Sequence, residues 1–384
     1  MKGKAKSVIE IWLMGGPSQL ETFDPKPDAP REYNNGLKAI DTNVPGVRLH
    51  EWLPRLAACA DLYSLVRTMT HPHNGHETAV YLMQTGRLPG GRNVHPAIGT
   101  VIAKAKTESG EYRGDLPPSV ILTAAKGRFS EIGFLDHRWE PLVTGGDPNA
   151  KVFTVDGVTS PGGLSPEEQR RRFQTAEMLE SLFPASIPAF DRAGEEARRV
   201  MAGDGAKAFD LSSETDALRE RYGRTKFGQS LLAARRLVEY GVPYVTVNLT
   251  GWDSHKKHFE TMGRTTAMLD QAVSALLTDL KEKGLLDTTL VWVSGEFGRT
   301  PKADWIPPWT GGRNHYSKCF SVLVAGGGFQ GGRVVGESDA YGEKPAKRPV
   351  SPQDLLGSIC ELCGLDPDAV LGKERRNTLR EIYA

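Results

Sequence analysis

The chain has 384 residues, enough for one large α/β domain or two ordinary ones. Its 48 basic and 47 acidic side chains leave a formal net charge of +1, which removes any global electrostatic case for nucleic acid or an anionic membrane. Hydrophobic residues make up 39%, and no run approaches the ~20 apolar residues of a membrane-spanning helix.

In chain order the predicted elements begin with "SVIEIWLM", a strand over 7–14. A basic start and an apolar run mimic a signal peptide, but Glu10 interrupts the run and no small-residue cleavage site follows. Further strands are expected at 63–69, 119–122, 243–249, 288–294 and 320–325. Phe227, Leu231, Ala234 and Val238 recur at helical spacing, as do Leu269, Val273, Leu276 and Leu280. Gly241 and Gly284 stand where those helices should end. Helix 225–240, strand 243–249, helix 256–283 and strand 288–294 therefore read as a β-α-β crossover in a doubly wound, mainly parallel sheet, and the two strands could be neighbours. Ser165, Pro166 and Glu168 have capping-box spacing. Residues 165–222 are polar and helix-rich, read as a helical insertion within a single domain spanning 1–384. Their charge runs, Arg170–Arg172 and Glu195–Arg199, are expected to be solvated helix faces. Four cysteines make no disulfide framework. Cys59 and Cys319 read as small core residues, and Cys360 and Cys363 as helix residues without a redox or metal role. The run "AGGGFQGG" over 325–332 lacks a phosphate-loop or dinucleotide pattern and reads as a turn between strands.

Chemistry-bearing residues cluster just beyond the expected strand ends, where open α/β sheets place their sites. "NLTGWDSHKKHFE" puts Asp253 and His255 after one strand, as metal or acid–base material or, equally, as a helix cap and a surface histidine. His258, one turn on, is expected at the surface. "SGEFGRTP" puts Glu296 and Arg299 after the next strand, for the same rim or as a plain ion pair. "TGGRNHYSKCF" brings Arg313, Asn314 and His315 to the start of another. "TMTHPHNGHETAVYLMQTGR" holds His71, His73 and His76 ahead of a helix beginning near His76. Free amides there suit an anion, although Asn74 could instead cap the helix. "MGGPSQLETFDPKP" offers Gly15 and Gly16 for close backbone approach, with Ser18, Glu21 and Asp24 nearby.

Together "WLMGGPSQLETFDPKPDAP", "GHETAVYLMQTGR", "FGQSLLAARRLVEYGVPYVTV", "GWDSH", "TTLVWVSGEFGRTP" and "GRNHY" resemble the domain-of-unknown-function 1501 family, from about residue 7 to the C-terminus. That family is grouped with the alkaline-phosphatase-like superfamily of sulfatases, phosphatases and phosphodiesterases. The resemblance implies an alkaline-phosphatase-like α/β fold and metal-assisted hydrolysis of a phosphate or sulfate ester. It also implies kinship with bacterial proteins that often look exported; the residues themselves assign no compartment or oligomeric state. The carry-over is partial. Sulfatases run from a Cys/Ser-x-Pro-Ser-Arg nucleophile motif to Leu-Thr-Gly-Arg; here Thr85, Gly86 and Arg87 remain, but His76 stands at the nucleophile's place. Gly15-Gly16 occupies the place of the aspartate after the first strand, and Glu296-Phe297 that of a later Asp-His pair.

The expectation is thus a metal-dependent hydrolase-like protein with an altered nucleophile position. Asp253, His255, Glu296 and His315 would hold a divalent cation, and their nitrogen and oxygen donors suit Zn or Mn better than Ca. His73 or His76 would carry a proton, and Arg299 and Arg313 would hold the anionic group. The partner would be a small anionic ester or a sulfated or phosphorylated glycan. The alternative is a non-catalytic carbohydrate- or partner-binding protein that retains the fold.

Overall fold

The computed structural model describes residues 3–125, 131–159, 166–181, 200, 204–373 and 376–384. Eight strands form its central sheet: β1 (Ser7–Leu13), β2 (Tyr63–Met69), β3 (Ser119–Leu122), β4 (Leu142–Val143), β5 (Tyr244–Leu249), β6 (Thr289–Ser294), β7 (Phe320–Ala325) and β8 (Val334–Val335). Their order is β8-β2-β7-β6-β1-β5-β3-β4. Only β7 runs against its neighbours, so the sheet is mixed but mostly parallel. The "AGGGFQGG" run does connect two strands, β7 and β8.

Five helices cover the two faces: α1 (His76–Thr85), α2 (Ile98–Glu108), α3 (Lys226–Glu239), α4 (His258–Glu282) and α5 (Pro352–Leu362). Strand alternation decides which side chain meets which layer. Ile9, Ile11 and Leu13 of β1 share one core with Leu231 and Leu237 of α3 and Leu269, Val273 and Leu276 of α4. Val8 and Trp12 share the other with Val80 and Met83 of α1, Ile102 of α2 and Leu356 and Ile359 of α5. Every residue of β1 is buried, as a strand covered on both faces requires. Cys360 and Cys363 are buried and unpaired, Cys360 within α5 and Cys363 at its C-cap. Of the polar stretch, the helix Pro166–Ser181 exposes Arg171 and Arg172, whereas Ser165 and the run Glu195–Arg199 lie outside the described residues. Among the described residues no helix is long and apolar enough to cross a membrane.

One strand pairing differs from the sequence reading. β5 and β6 are not neighbours, because β1 lies between them and pairs in parallel with both. Glu10, in the middle of β1, is buried with its carboxylate accepting from Gln84 Nε2 at 2.5 Å and from the Tyr244 and Thr246 hydroxyls at 3.0 Å. Burial pushes this carboxyl up to about 7, against the pull of those three bonds. The folded state therefore holds the Glu10 proton more tightly than the unfolded chain does. Its contribution is complete below the ordinary Glu value of ~4.3 and is lost as pH rises through about 7. A shift of this size corresponds to on the order of 3 kcal/mol. Urea unfolding at pH 5 and pH 8 should register that loss in the native protein, and Glu10→Gln should flatten it. An undiminished pH slope in the variant would remove Glu10 as its source.

Candidate functional site

The carboxyl ends of β1, β5 and β6 open onto one rim. Just beyond β1 stand Gly15 (φ +112°) and Gly16 (φ +84°), whose positive φ and crowding both exclude a side chain. A Cβ on Gly15 would lie 2.4 Å from the Asp253 amide nitrogen, and one on Gly16 would lie 2.5 Å from the Phe297 ring. This bare turn lets the Asp253 loop after β5 and the Glu296 loop after β6 close over the end of β1. A two-residue ribbon, Gly298–Arg299 with His315–Tyr316, then brings His315 to the same place.

Three imidazoles converge on Asp253. His255 Nε2 is 3.0 Å and His315 Nε2 3.2 Å from its Oδ1, and His76 Nε2 is 3.4 Å from its Oδ2. The His255 and His315 Nε2 atoms are themselves 3.0 Å apart. The opposite ring nitrogen of each histidine faces an acceptor. His76 Nδ1 lies 2.6 Å from Glu296 Oε1, His255 Nδ1 2.9 Å from Asn314 Oδ1, and His315 Nδ1 2.8 Å from the Asn74 carbonyl. Acceptors there draw the ring proton to Nδ1. In the neutral ring this leaves the Nε2 lone pair aimed at a carboxylate, an arrangement that calls for a cation among them. Edges of 3.0–3.2 Å among Asp253 Oδ1, His255 Nε2 and His315 Nε2 suit donors ~2.0–2.2 Å from one small ion. Ligand atoms of His76, Asp253 and His315 also all lie within 4.8 Å of one another. The residues present therefore fit a divalent metal with nitrogen and oxygen donors.

Electrostatics grade the cluster. Burial acts to raise the Asp253 carboxyl, but the Arg299 guanidinium at 2.5 Å, helped by His255 and His315, holds it down at about 2. The bond to Glu296, opposed by burial, raises His76 above the usual imidazole range. Burial lowers His315 despite its bond to Asn74. Burial also lowers His71 to about 4, and its Nε2 meets the Glu296 carbonyl at 2.7 Å.

Beneath the rim lies a fully buried polar layer. Arg299 donates to the carbonyls of Gly15, Gly16 and Arg313 as well as to Asp253. Arg313 donates to Glu21 Oε1 at 2.6 Å and to the carbonyls of Thr300, Pro301 and Tyr33. Glu21 Oε2 also meets His258 Nε2 at 2.9 Å, and Ser254 Oγ meets His258 Nδ1 at 2.6 Å. Burial alone would raise the Glu21 carboxyl; Arg313 and His258 outweigh it and hold the group well below the usual carboxylate range. Burial also lowers His258, despite the Glu21 carboxylate beside its ring.

The structure thus gathers His76, Asp253, His255 and His315 at one point. Glu296 stands behind them: it is buried and its carboxylate faces His76 and the Gly15 N–H. Arg299 and Arg313 are 0% exposed, so both expected anion holders are enclosed and engaged by local acceptors, although Arg313 Nε has none. His73 is removed by one step, its ring centroid 6.4 Å from that of His71. His258 is not at the surface but buried at the start of α4. Asn74 does not cap α1, whose N-cap is Gly75; its side chain instead accepts the Ser317 N–H at 2.8 Å. Thr85 and Gly86 form the C-terminus of α1, with Gly86 as its left-handed cap. Sequence reasoning left Asn314 and the Ser254–His258–Glu21 chain without roles. Polar residues flanking candidate ligands were the one available signal.

No curated protein matches this chain. Solved structures similar to it include Ps i-CgsB in complex with k-i-k-neocarrahexaose, at 14% identity and a TM-score of 0.46, covering 98% of this chain and 75% of that one. Another is the PsFucS1 sulfatase from Pseudoalteromonas sp., at 14% identity and 0.41, covering 98% and 74%. A protein in the alkaline phosphatase superfamily from Vibrio parahaemolyticus shares 10% identity at 0.44, covering 100% and 73%. The family described as "Protein of unknown function (DUF1501)" matches residues 5–380. With its length matched almost end to end, the chain belongs to the DUF1501 family.

Proposed function

We propose that this protein is a metal-dependent hydrolase of phosphate or sulfate esters, with its centre at Asp253, His255 and His315. The observation that carries the reading is the convergence of imidazole Nε2 atoms on Asp253, with each opposite ring nitrogen held by an acceptor. Asp253 Oδ1 and the Nε2 atoms of His255 and His315 would hold Zn or Mn. Such an ion supplies Lewis acidity toward an ester oxygen and lowers the pKa of water. Glu296 orients His76 and favours a proton on that ring, which suits His76 to give a proton to the leaving oxygen. Gly75 gives α1 no side-chain cap, and a helix N-terminus suits an anionic group. Arg299 positions Asp253 from below and is not a substrate contact.

The test is metal content of the purified protein together with chelation. An ion present at 100 times its dissociation constant adds ~2.7 kcal/mol. Chelator should therefore lower the melting temperature, and Zn or Mn should restore it along with hydrolysis of nitrophenyl phosphate, phosphodiester or sulfate. Absence of both metal and a chelator effect would overturn the reading in favour of a non-catalytic binding protein. Metal binding without cleavage of any ester would keep the site and remove the reaction.

A further inference from the structure

The loop 300–314 joins the two strands of the ribbon that carries Arg299 and His315. It exposes apolar side chains beside a polar centre. Trp305 keeps 47% and Ile306 72% of their surface exposed, and Trp309 is partly exposed. Exposed indoles normally require a reason, since burying them is among the larger gains available to a fold.

These rings are held in place. Trp305 stacks on Phe259 with centroids 5.7 Å apart and planes 9° apart. The Asp304 carbonyl accepts from both Gly311 and Gly312, and its carboxylate accepts from Ile306 N–H at 3.0 Å. The Trp309 carbonyl accepts from Lys257 N–H at 3.2 Å. The loop also closes onto the candidate centre: a Cβ on Gly312 would lie 1.8 Å from the His255 carbonyl oxygen. Exposed Lys256 holds its ammonium 5.6 Å from the Trp309 ring centroid.

We infer that Trp305 and Trp309 form a stacking platform for a sugar ring of an anionic saccharide, beside the Asp253 centre. A pyranose has an apolar C–H face that an indole covers and a polar rim that needs water or charge nearby. A rigid aromatic surface, a lysine at its edge and a polar centre next to it match that division. A protein or bilayer partner would instead favour a broader apolar patch without a polar cluster at its border. The inference names the substrate class for the proposed hydrolase and in that respect rests on it.

The experiment titrates the full chain with sulfated galactan, fucan and glycosaminoglycan hexasaccharides and their desulfated forms, followed by calorimetry. At least one sulfated member should bind, more tightly than its desulfated form. Trp305→Ala should weaken that binding roughly tenfold and Trp305→Phe should recover most of it, with the chelator-induced melting shift unchanged in both. If chelator has no effect but binding still depends on Trp305, the platform stands and the metal reading falls. Equal binding by the native protein and Trp305→Ala, or no binding by any hexasaccharide, would overturn the platform. So would Trp305-dependent sedimentation with phosphatidylglycerol vesicles in place of saccharide binding, which would assign the loop to a membrane surface.

Discussion

Asp253→Ala should abolish the response to Zn or Mn. Asp253 is the one carboxylate on which the His76, His255 and His315 Nε2 atoms converge. Loss of a partner that only orients a ligand costs roughly 10–100-fold in metal affinity, so loss of this ligand should exceed ~100-fold. Asn314→Ala, which removes the acceptor opposite His255 Nε2, should fall within that 10–100-fold range. Asp253→Asn is the sharper variant, because its amide oxygen can still accept from Arg299 while the charge is gone. Isothermal titration with Zn reads all three. Native affinity in Asp253→Asn would show that the ion, if bound, lies elsewhere.

Glu21→Ala should cost the fold ~3–5 kcal/mol, the usual consequence of leaving one partner of a buried pair without the other. Arg313 is 0% exposed, and Glu21 is its only carboxylate partner among the described residues. The same oxygen pair anchors His258 and, through it, Ser254, so the Asp253–His255 loop should loosen as well. Glu21→Gln keeps an acceptor for Arg313 and should cost less. The pH dependence has a definite sign. The depressed Glu21 carboxyl contributes stability that is fully present above the ordinary Glu value of ~4.3 and is lost progressively as pH falls from there toward its depressed native value. That is the opposite slope to Glu10, whose contribution fades as pH rises. Urea unfolding of the native protein and both variants at pH 7 and pH 3 checks this. A Glu21→Ala loss under ~1 kcal/mol would mean that Arg313 is satisfied by its three carbonyls alone.

Periodicity and turn chemistry by themselves marked six of the eight sheet strands, helices α1, α3, α4 and α5, and the layered α/β class; the two-residue strands β4 and β8 and helix α2 were not among the expected elements. β5 and β6 are runs bounded by glycine or proline and separated by 3.6-residue patterns, and local chemistry suffices to read them. Ligand-type residues at strand ends likewise marked the rim, because their side chains have no use in a strand core. Pairing order was decided only by the tertiary structure. That β1 inserts between β5 and β6 follows from long-range packing, which no local pattern encodes. Burial of charge was decided there too. Arg299, Arg313 and His258 look like surface or ligand-binding residues in sequence, yet Gly15 O, Glu21 and the Tyr33 carbonyl, all distant along the chain, supply the partners that make their burial affordable. The orientation of each histidine belongs to the same class. Which ring nitrogen points inward depends on Asn74, Glu296 and Asn314, and those acceptors meet His315, His76 and His255 only once the fold has closed.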